Sequence, residues 1–206
     1  VAIGSRMGNP GVSNGGTVAC FEPRWKVDFA TESGTSNYTQ YDQIAIDQTK
    51  VGSGGVSDFD VWLPVSAMSA TAQSVMRSDG GNVRFTLIDG ITRIPHDIIT
   101  DSSGNVLGFR FKCNLSSSVD LNVRAWYNGT DTAESVSSIY GGHNAYDEHT
   151  IAYWPMVEDL SIDPTVYDRT GNGLHGTASG TFSSSDTTDD GIVFNGTQAI
   201  IIPNTN

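Results

Sequence analysis

The sequence has little of what several large functional classes depend on. No apolar run approaches the roughly 18 residues that a helical membrane span needs, so membrane insertion is not expected. Basic residues are scarce: 11 Lys and Arg stand against 23 Asp and Glu, a formal net charge of -12. Such a balance repels phosphate backbones and anionic lipid, so nucleic acid is not an expected partner. There are only two cysteines, Cys20 and Cys113, too few for a disulfide framework or a four-cysteine zinc site. One Cys20 to Cys113 bridge and two buried free thiols both remain open. Charged residues make up 17% of the chain, below the roughly 25% of ordinary globular domains. Helix-building Glu, Lys and Leu are thin, which excludes an α-helical protein. No Gly-x-Ser-x-Gly elbow, phosphate-binding loop or dinucleotide fingerprint occurs, and His96, His143, His149 and His175 have no close metal-ligand spacing. Val1 is not an initiator Met and no basic-apolar signal precedes it, so a processed chain or a piece of a longer product is expected.

What is abundant is small and turn-prone: 23 Gly, 23 Ser and 20 Thr. Between residues 20 and 147 the dominant hydrophobic period is two. Leu107, Phe109, Phe111, Cys113 and Leu115 alternate with Gly108, Arg110, Lys112 and Asn114. Val119, Leu121, Val123, Ala125 and Tyr127 do the same, with Trp126 out of phase. Shorter runs around Trp25, Ile44, Val61 and Phe85 repeat the pattern. Each run predicts a strand with one buried and one wet face. Asp89-Gly90 and the stretch Ser102 to Asn105 supply hairpin chemistry between runs. An all-β fold follows, an antiparallel β-sandwich or jelly roll. One short helix is expected, capped by Ser69, packing Ala72, Val75 and Met76, and ended by Gly80. Residues 1 to 19 are glycine-rich and without periodicity. Ordering such an arm costs backbone entropy, so it is expected either to lie against a partner in an assembly or to fold back on its own sandwich. Residues 148 to 206 read as the first strands of a second β-domain, opening with a strand in HTIAYWPMVEDL, and are too few for a complete two-sheet sandwich of about 100 residues.

The segments QIAIDQTKV, SDFDVWLPV, SDGGNVRFTLIDGITRIPHDI and VRAWYNGTDTAESVSSIYGGHNAYD together resemble the family called domain of unknown function 2341. Asp79, Gly80, Gly81, Arg84 and Phe85 match the hairpin typical of that family, with Asn82 where it carries a second acidic residue. Asp60 stands in place of its proline, and Tyr127, Asn128 and Gly129 keep its strand end approximately. The segments AYWPMVED, YDRTGNGLHGT and FNGTQAIIIP resemble the start of a laminin-G-like or concanavalin-A-like jelly roll. The resemblance implies a β-sandwich followed by a partial lectin-like domain, a tandem of phage and prokaryotic surface proteins. It also implies that the loop holding Asp168, Thr170, Gly171 and Asn172 lies near a calcium ion or a ligand rim.

The residues themselves offer few reactive groupings. Glu158 with Asp159 and Asp147 with Glu148 are adjacent pairs, and neighbours along a strand point to opposite faces, so a converging glycosidase dyad is not expected. Exposed aromatics can stack on sugars, which makes Trp126, Trp154 and Tyr153 candidate ligand contacts, with burial as the alternative for each. Asp168 and Asn172 are the candidate calcium ligands, competing with an ordinary turn. The tripeptides at Asn37, Asn114, Asn128 and Asn195 fit the glycosylation rule. The expected function is a non-enzymatic structural or adhesion module on a virion or cell surface, with a carbohydrate-binding module of an extracellular protein second and a glycan hydrolase last.

Overall fold

A computed structural model describes residues 27–31, 34–101, 103–183, 187–188 and 191–203. The N-terminal arm, Cys20 and Trp25 lie outside the described residues. The chain is an all-β protein built on antiparallel sheets, with a single short α-helix among the described residues. β1 (Val27–Thr31) and β2 (Gly34–Tyr38) form a hairpin. β3 (Gln40–Ile46), β5 (Arg84–Leu87), β6 (Arg93–Ile94) and β9 (Leu121–Tyr127) form one sheet in the order β3-β9-β5-β6. β4 (Val56–Pro64), β7 (His96–Thr100) and β8 (Val106–Leu115) form the facing sheet in the order β4-β8-β7. Between the two lies one core that includes Ile44, Val61, Leu63, Phe85, Phe109, Phe111 and Val123.

The pleat decides which residues enter that core. Along β8 Phe109, Phe111, Cys113 and Leu115 are buried while Arg110 and Lys112 are only partly covered and Asn114 is exposed, as the period of two predicts. Gly108 breaks the pattern for a local reason: a Cβ there would lie 2.4 Å from the Leu63 carbonyl oxygen, so only glycine lets β4 approach β8 at that register. Phe85 stacks on Phe111 at 4.7 Å and meets Phe109 edge-on at 5.5 Å, joining the two sheets through aromatic contacts. Val119 departs from expectation: β9 starts at Leu121, and Val119 is 65% exposed in the preceding turn.

The helix α1 (Ala70–Val75) has the expected cap, with Ser69 Oγ accepting from Ala72 N at 3.0 Å. Its end is not at Gly80 but at Met76, whose N–H bonds to Ala72 O; Gly80 instead closes a turn onto Arg77 O with a positive φ of 67°. The buried Asp42 carboxylate on β3 accepts from Ser69 N at 2.8 Å and from Tyr127 Oη at 3.1 Å, which fixes the helix to the sheet below. Asp89 and Gly90 form the tip of a longer connection than a two-residue hairpin, since Leu87 N pairs with Thr92 O.

Beyond residue 148 a smaller sheet, in the order β10-β11-β14, gathers β10 (Thr165–Val166), β11 (Gly176–Ser179) and β14 (Ala199–Ile201), and β12 (Thr187–Thr188) pairs with β13 (Gly191–Ile192). Leu160, Val166 and Phe182 form its core, with Trp154, Met156 and Ile200 packed against them. The strand expected in HTIAYWPMVEDL does not form. Its backbone groups are claimed locally instead: Asn172 Nδ2 donates to Thr150 O and Ile151 O, and Arg169 N donates to Tyr153 O.

Candidate functional site

Two clusters of ionisable side chains are tied together by ion pairs, one on β7 and one beside β5. β7 carries His96 and Asp97 in succession, so the pleat sends them opposite ways. His96 turns inward against Phe85 and Phe109, at ring separations of 5.2 and 6.2 Å. Burial, reinforced by the Arg84 and Arg93 charges, pushes its pKa down to about 3, so the ring is neutral at physiological pH. Asp97 turns outward and is only 2% exposed. Arg169 from the C-terminal segment clasps it in a two-pronged pair, Nη2 to Oδ1 at 2.5 Å and Nε to Oδ2 at 3.0 Å. Tyr146 Oη donates to the same Oδ2 at 2.7 Å, and burial together with the Asp97 charge raises the Tyr146 pKa far above that of a free phenol.

A second ionic cluster holds the long connection after β9. Arg84, 1% exposed, donates through Nη1 to Gly81 O and Val83 O, both at 2.8 Å, and through Nη2 to Thr132 O at 2.7 Å. Its guanidinium lies 3.6 Å from Asp131 and 3.2 Å from Glu134. Arg93 pairs with the same Glu134 and stacks at 3.9 Å over the Tyr140 ring. Tyr38 Oη donates to Asp131 at 3.0 Å, while the Tyr38 ring fills the space that a Cβ on Gly129 would take. Residues 129 to 141, which form no helix or strand, are thereby stapled across the sheet edge.

Where this connection meets β7 and Arg169 there is a cleft of about 220 Å³. Asp97, Thr100, Glu134, Val136 and Arg169 line it, with His96 and Asp79 also in the wall. It is the place where the sandwich, the stapled connection and the C-terminal segment all contribute side chains.

The residues expected from sequence fall elsewhere or do other work. Trp126, expected as a candidate sugar contact, is 0% exposed: it faces the outer side of its sheet but lies under Tyr38 and Tyr41, with Nε1 donating to Thr86 Oγ1 at 2.9 Å. The ring therefore presents no face to a ligand. Tyr153 is half-buried beneath the Arg110 guanidinium at 4.1 Å and beside Tyr146 at 5.5 Å. Trp154 is half-buried on the small C-terminal core, Nε1 donating to Leu174 O at 2.8 Å. Tyr153 and Trp154 adjoin one seam, and Trp126 sits on the other sheet, so the three do not form a platform.

Asp168, a candidate calcium ligand with an ordinary turn as its alternative, is the hub of a turn. Its Oδ1 accepts from Tyr153 N and Thr170 N, its Oδ2 accepts from Leu174 N, and Thr170 Oγ1 approaches both oxygens. Burial pulls its pKa up, but the bonds from Thr170, Tyr153 and Leu174 outweigh that and leave it below the ordinary carboxylate value. Asn172 uses its amide to hold Thr150 and Ile151. Among the described residues no group of three or more His, Cys, Asp or Glu side chains is placed to hold a metal ion.

The adjacent acids do not converge. Glu158 accepts from Tyr167 N and Asp159 from Ser161, while Asp147 caps His149 N and Thr150 Oγ1. His149 is exposed beside Glu148, His175 Nδ1 accepts from Asp168 N, and His143 packs on Gly171. Cys113 is a buried free thiol, its pKa pushed up to about 12 by burial. Asp97, Glu134 and Arg169 were not singled out from sequence, and Arg84 entered only through the hairpin resemblance, although a cation opening an otherwise uncharged strand in a chain with few cations was a signal.

No family model, curated protein or solved structure matches the chain.

Proposed function

We propose that the chain is a non-enzymatic structural or adhesion module on the outside of a virion or cell, such as a capsid decoration or tail-associated protein. The observation that carries this reading is the state of the acids around the cleft. Asp97 is held by Arg169 and Tyr146, Glu134 by Arg84 and Arg93, and Asp131 by Arg84 and Tyr38. A general acid or base must be able to exchange a proton with a substrate, and these carboxylates are instead committed to fixing a loop and a seam. Such rigidity suits a part that presents a surface. The acidic balance of the chain and the resemblance of its segments to tandem surface domains support the same reading.

The test is co-sedimentation of the purified chain with virions or cells of its source, compared with a chain lacking residues 1 to 19. Docking that depends on the arm is the expected result. Absence of docking by the intact chain to either would end the reading. A carbohydrate-binding role within a larger extracellular protein is the second reading, and the cleft of mixed polarity beside Asp97 favours it.

A further inference from the structure

The cleft between β7, the stapled connection and Arg169 has a chemistry that selects among ligand classes. Its carboxylates are already neutralised: Asp79 pairs with Arg77 at 2.9 Å, Asp97 with Arg169 at 2.5 Å, and Glu134 with Arg93. A free anion meets these carboxylates and gains little from the one guanidinium in the wall, which is engaged with Asp97. A free cation meets acids whose charge is balanced. Paired carboxylates nevertheless keep lone pairs that accept hydrogen bonds from neutral hydroxyls.

The wall also holds polar groups with capacity to spare. Among the described residues, Arg169 Nη1 and Thr100 Oγ1 make no hydrogen bond, and Glu134 Oε2 has only a long 3.4 Å contact from Ser138. Ile98, Ala133 and Val136 supply apolar wall between these groups. Donors, acceptors and a C–H-binding surface are thus interleaved in a space of about 220 Å³, below the roughly 300 Å³ at which pockets for drug-sized ligands begin and so suited to a small ligand.

We infer that this cleft is a subsite for a single neutral pyranose, its hydroxyls bonded to Glu134, Thr100 and Arg169 and its C–H face against Val136 and Ile98. The inference deepens the adhesion reading and rests on it, since it supplies that module with a ligand class. Val136 stands at the rim and takes no part in the ion pairs, so Val136→Trp closes the cleft while leaving the staples intact.

The test is saturation-transfer NMR and calorimetry of the full chain with glucose, galactose, mannose, N-acetylglucosamine and N-acetylgalactosamine, with glucuronate and glucosamine as charged comparisons. At least one neutral sugar is expected to bind with a dissociation constant on the order of 1 mM, the affinity that a ligand of this size reaches at ordinary efficiency. Val136→Trp should weaken it at least about tenfold, and Thr100→Val, which removes one hydroxyl, about threefold, with near-ultraviolet dichroism confirming that both variants are folded. The inference is overturned if no neutral sugar binds, if a charged sugar binds more tightly, or if folded Val136→Trp binds as the parent does. Co-sedimentation reports separately: docking that persists in Val136→Trp alongside lost sugar binding supports both the subsite and the module. Docking of the parent chain with no sugar bound removes the subsite alone.

Discussion

Arg169 reaches from the C-terminal segment to Asp97 on β7, with Nη2 2.5 Å from Oδ1 and Nε 3.0 Å from Oδ2. The two residues are 72 positions apart, and their pair closes the seam together with Tyr146. Asp97→Asn keeps the size of the side chain but leaves the guanidinium without a counter-charge. A loss of about 3 kcal/mol is expected, at the lower end for a broken buried pair because Arg169 is 31% exposed. Urea unfolding measures it, and a loss below about 1 kcal/mol would show that the pair is as weak as a surface one.

Arg84→Lys keeps the charge and removes the fork. Lysine cannot reach Gly81, Val83 and Thr132 carbonyls while facing Asp131 and Glu134, so buried acceptors lose their donors. Destabilisation of about 2 to 4 kcal/mol is expected. Amide exchange should accelerate first in residues 129 to 141, the segment that Arg84 staples. Uniform acceleration across all strands, with none preferentially in that segment, would contradict the stapling role.

His96 sets a distinct pH window. Its folded pKa of about 3 lies below its unfolded value of 6.5, so below pH 6.5 the unfolded chain takes up a proton that the folded chain refuses. Stability is therefore expected to fall as pH drops from 6.5 toward 3, by up to about 1.4 kcal/mol per pH unit. Asp168, whose folded pKa is depressed, acts lower: its contribution is present above the unfolded carboxylate value of about 3.9 and is lost as pH falls through the folded one. His96→Phe should abolish the slope between pH 6.5 and 4.5 and leave the steeper loss below 4. An unchanged slope in that variant, followed by urea midpoints across pH, would rule out His96 as its source.

Cys113 should be inert in the folded chain. Its thiol pKa of about 12 leaves almost no thiolate at pH 8, and its side chain is buried. In a Cys20→Ser background, Ellman's reagent is expected to react with Cys113 only after urea is added. Rapid labelling without denaturant would contradict the burial.

The fold was legible wherever one residue's fate is set by its near neighbours. The alternation of Phe109 and Phe111 with Arg110 and Lys112 predicted the face each occupies, because the pleat alone assigns it. The Ser69 cap was legible because its partner, Ala72 N, is three residues away. Trp126 was correctly placed on the opposite face from Val123 and Ala125, but what covers that face was not legible. Tyr38 and Tyr41 come from a hairpin end and a strand more than 80 residues earlier. The cleft was hidden for the same reason: Asp97, Glu134 and Arg169 carry no common spacing and meet only after three separate segments are folded. The HTIAYWPMVEDL stretch misled because its apolar content resembles a strand, whereas Asp168 and Asn172 take up the backbone and side-chain bonds that a neighbouring strand would have provided.

Gly142 touches Asp97 so closely that a Cβ there would stand 2.5 Å from the carboxylate oxygen. The joint between sandwich and C-terminal segment thus tolerates one hydrogen atom and nothing larger at that point. At position 142 even a methyl group would force aside the acid that Arg169 and Tyr146 hold.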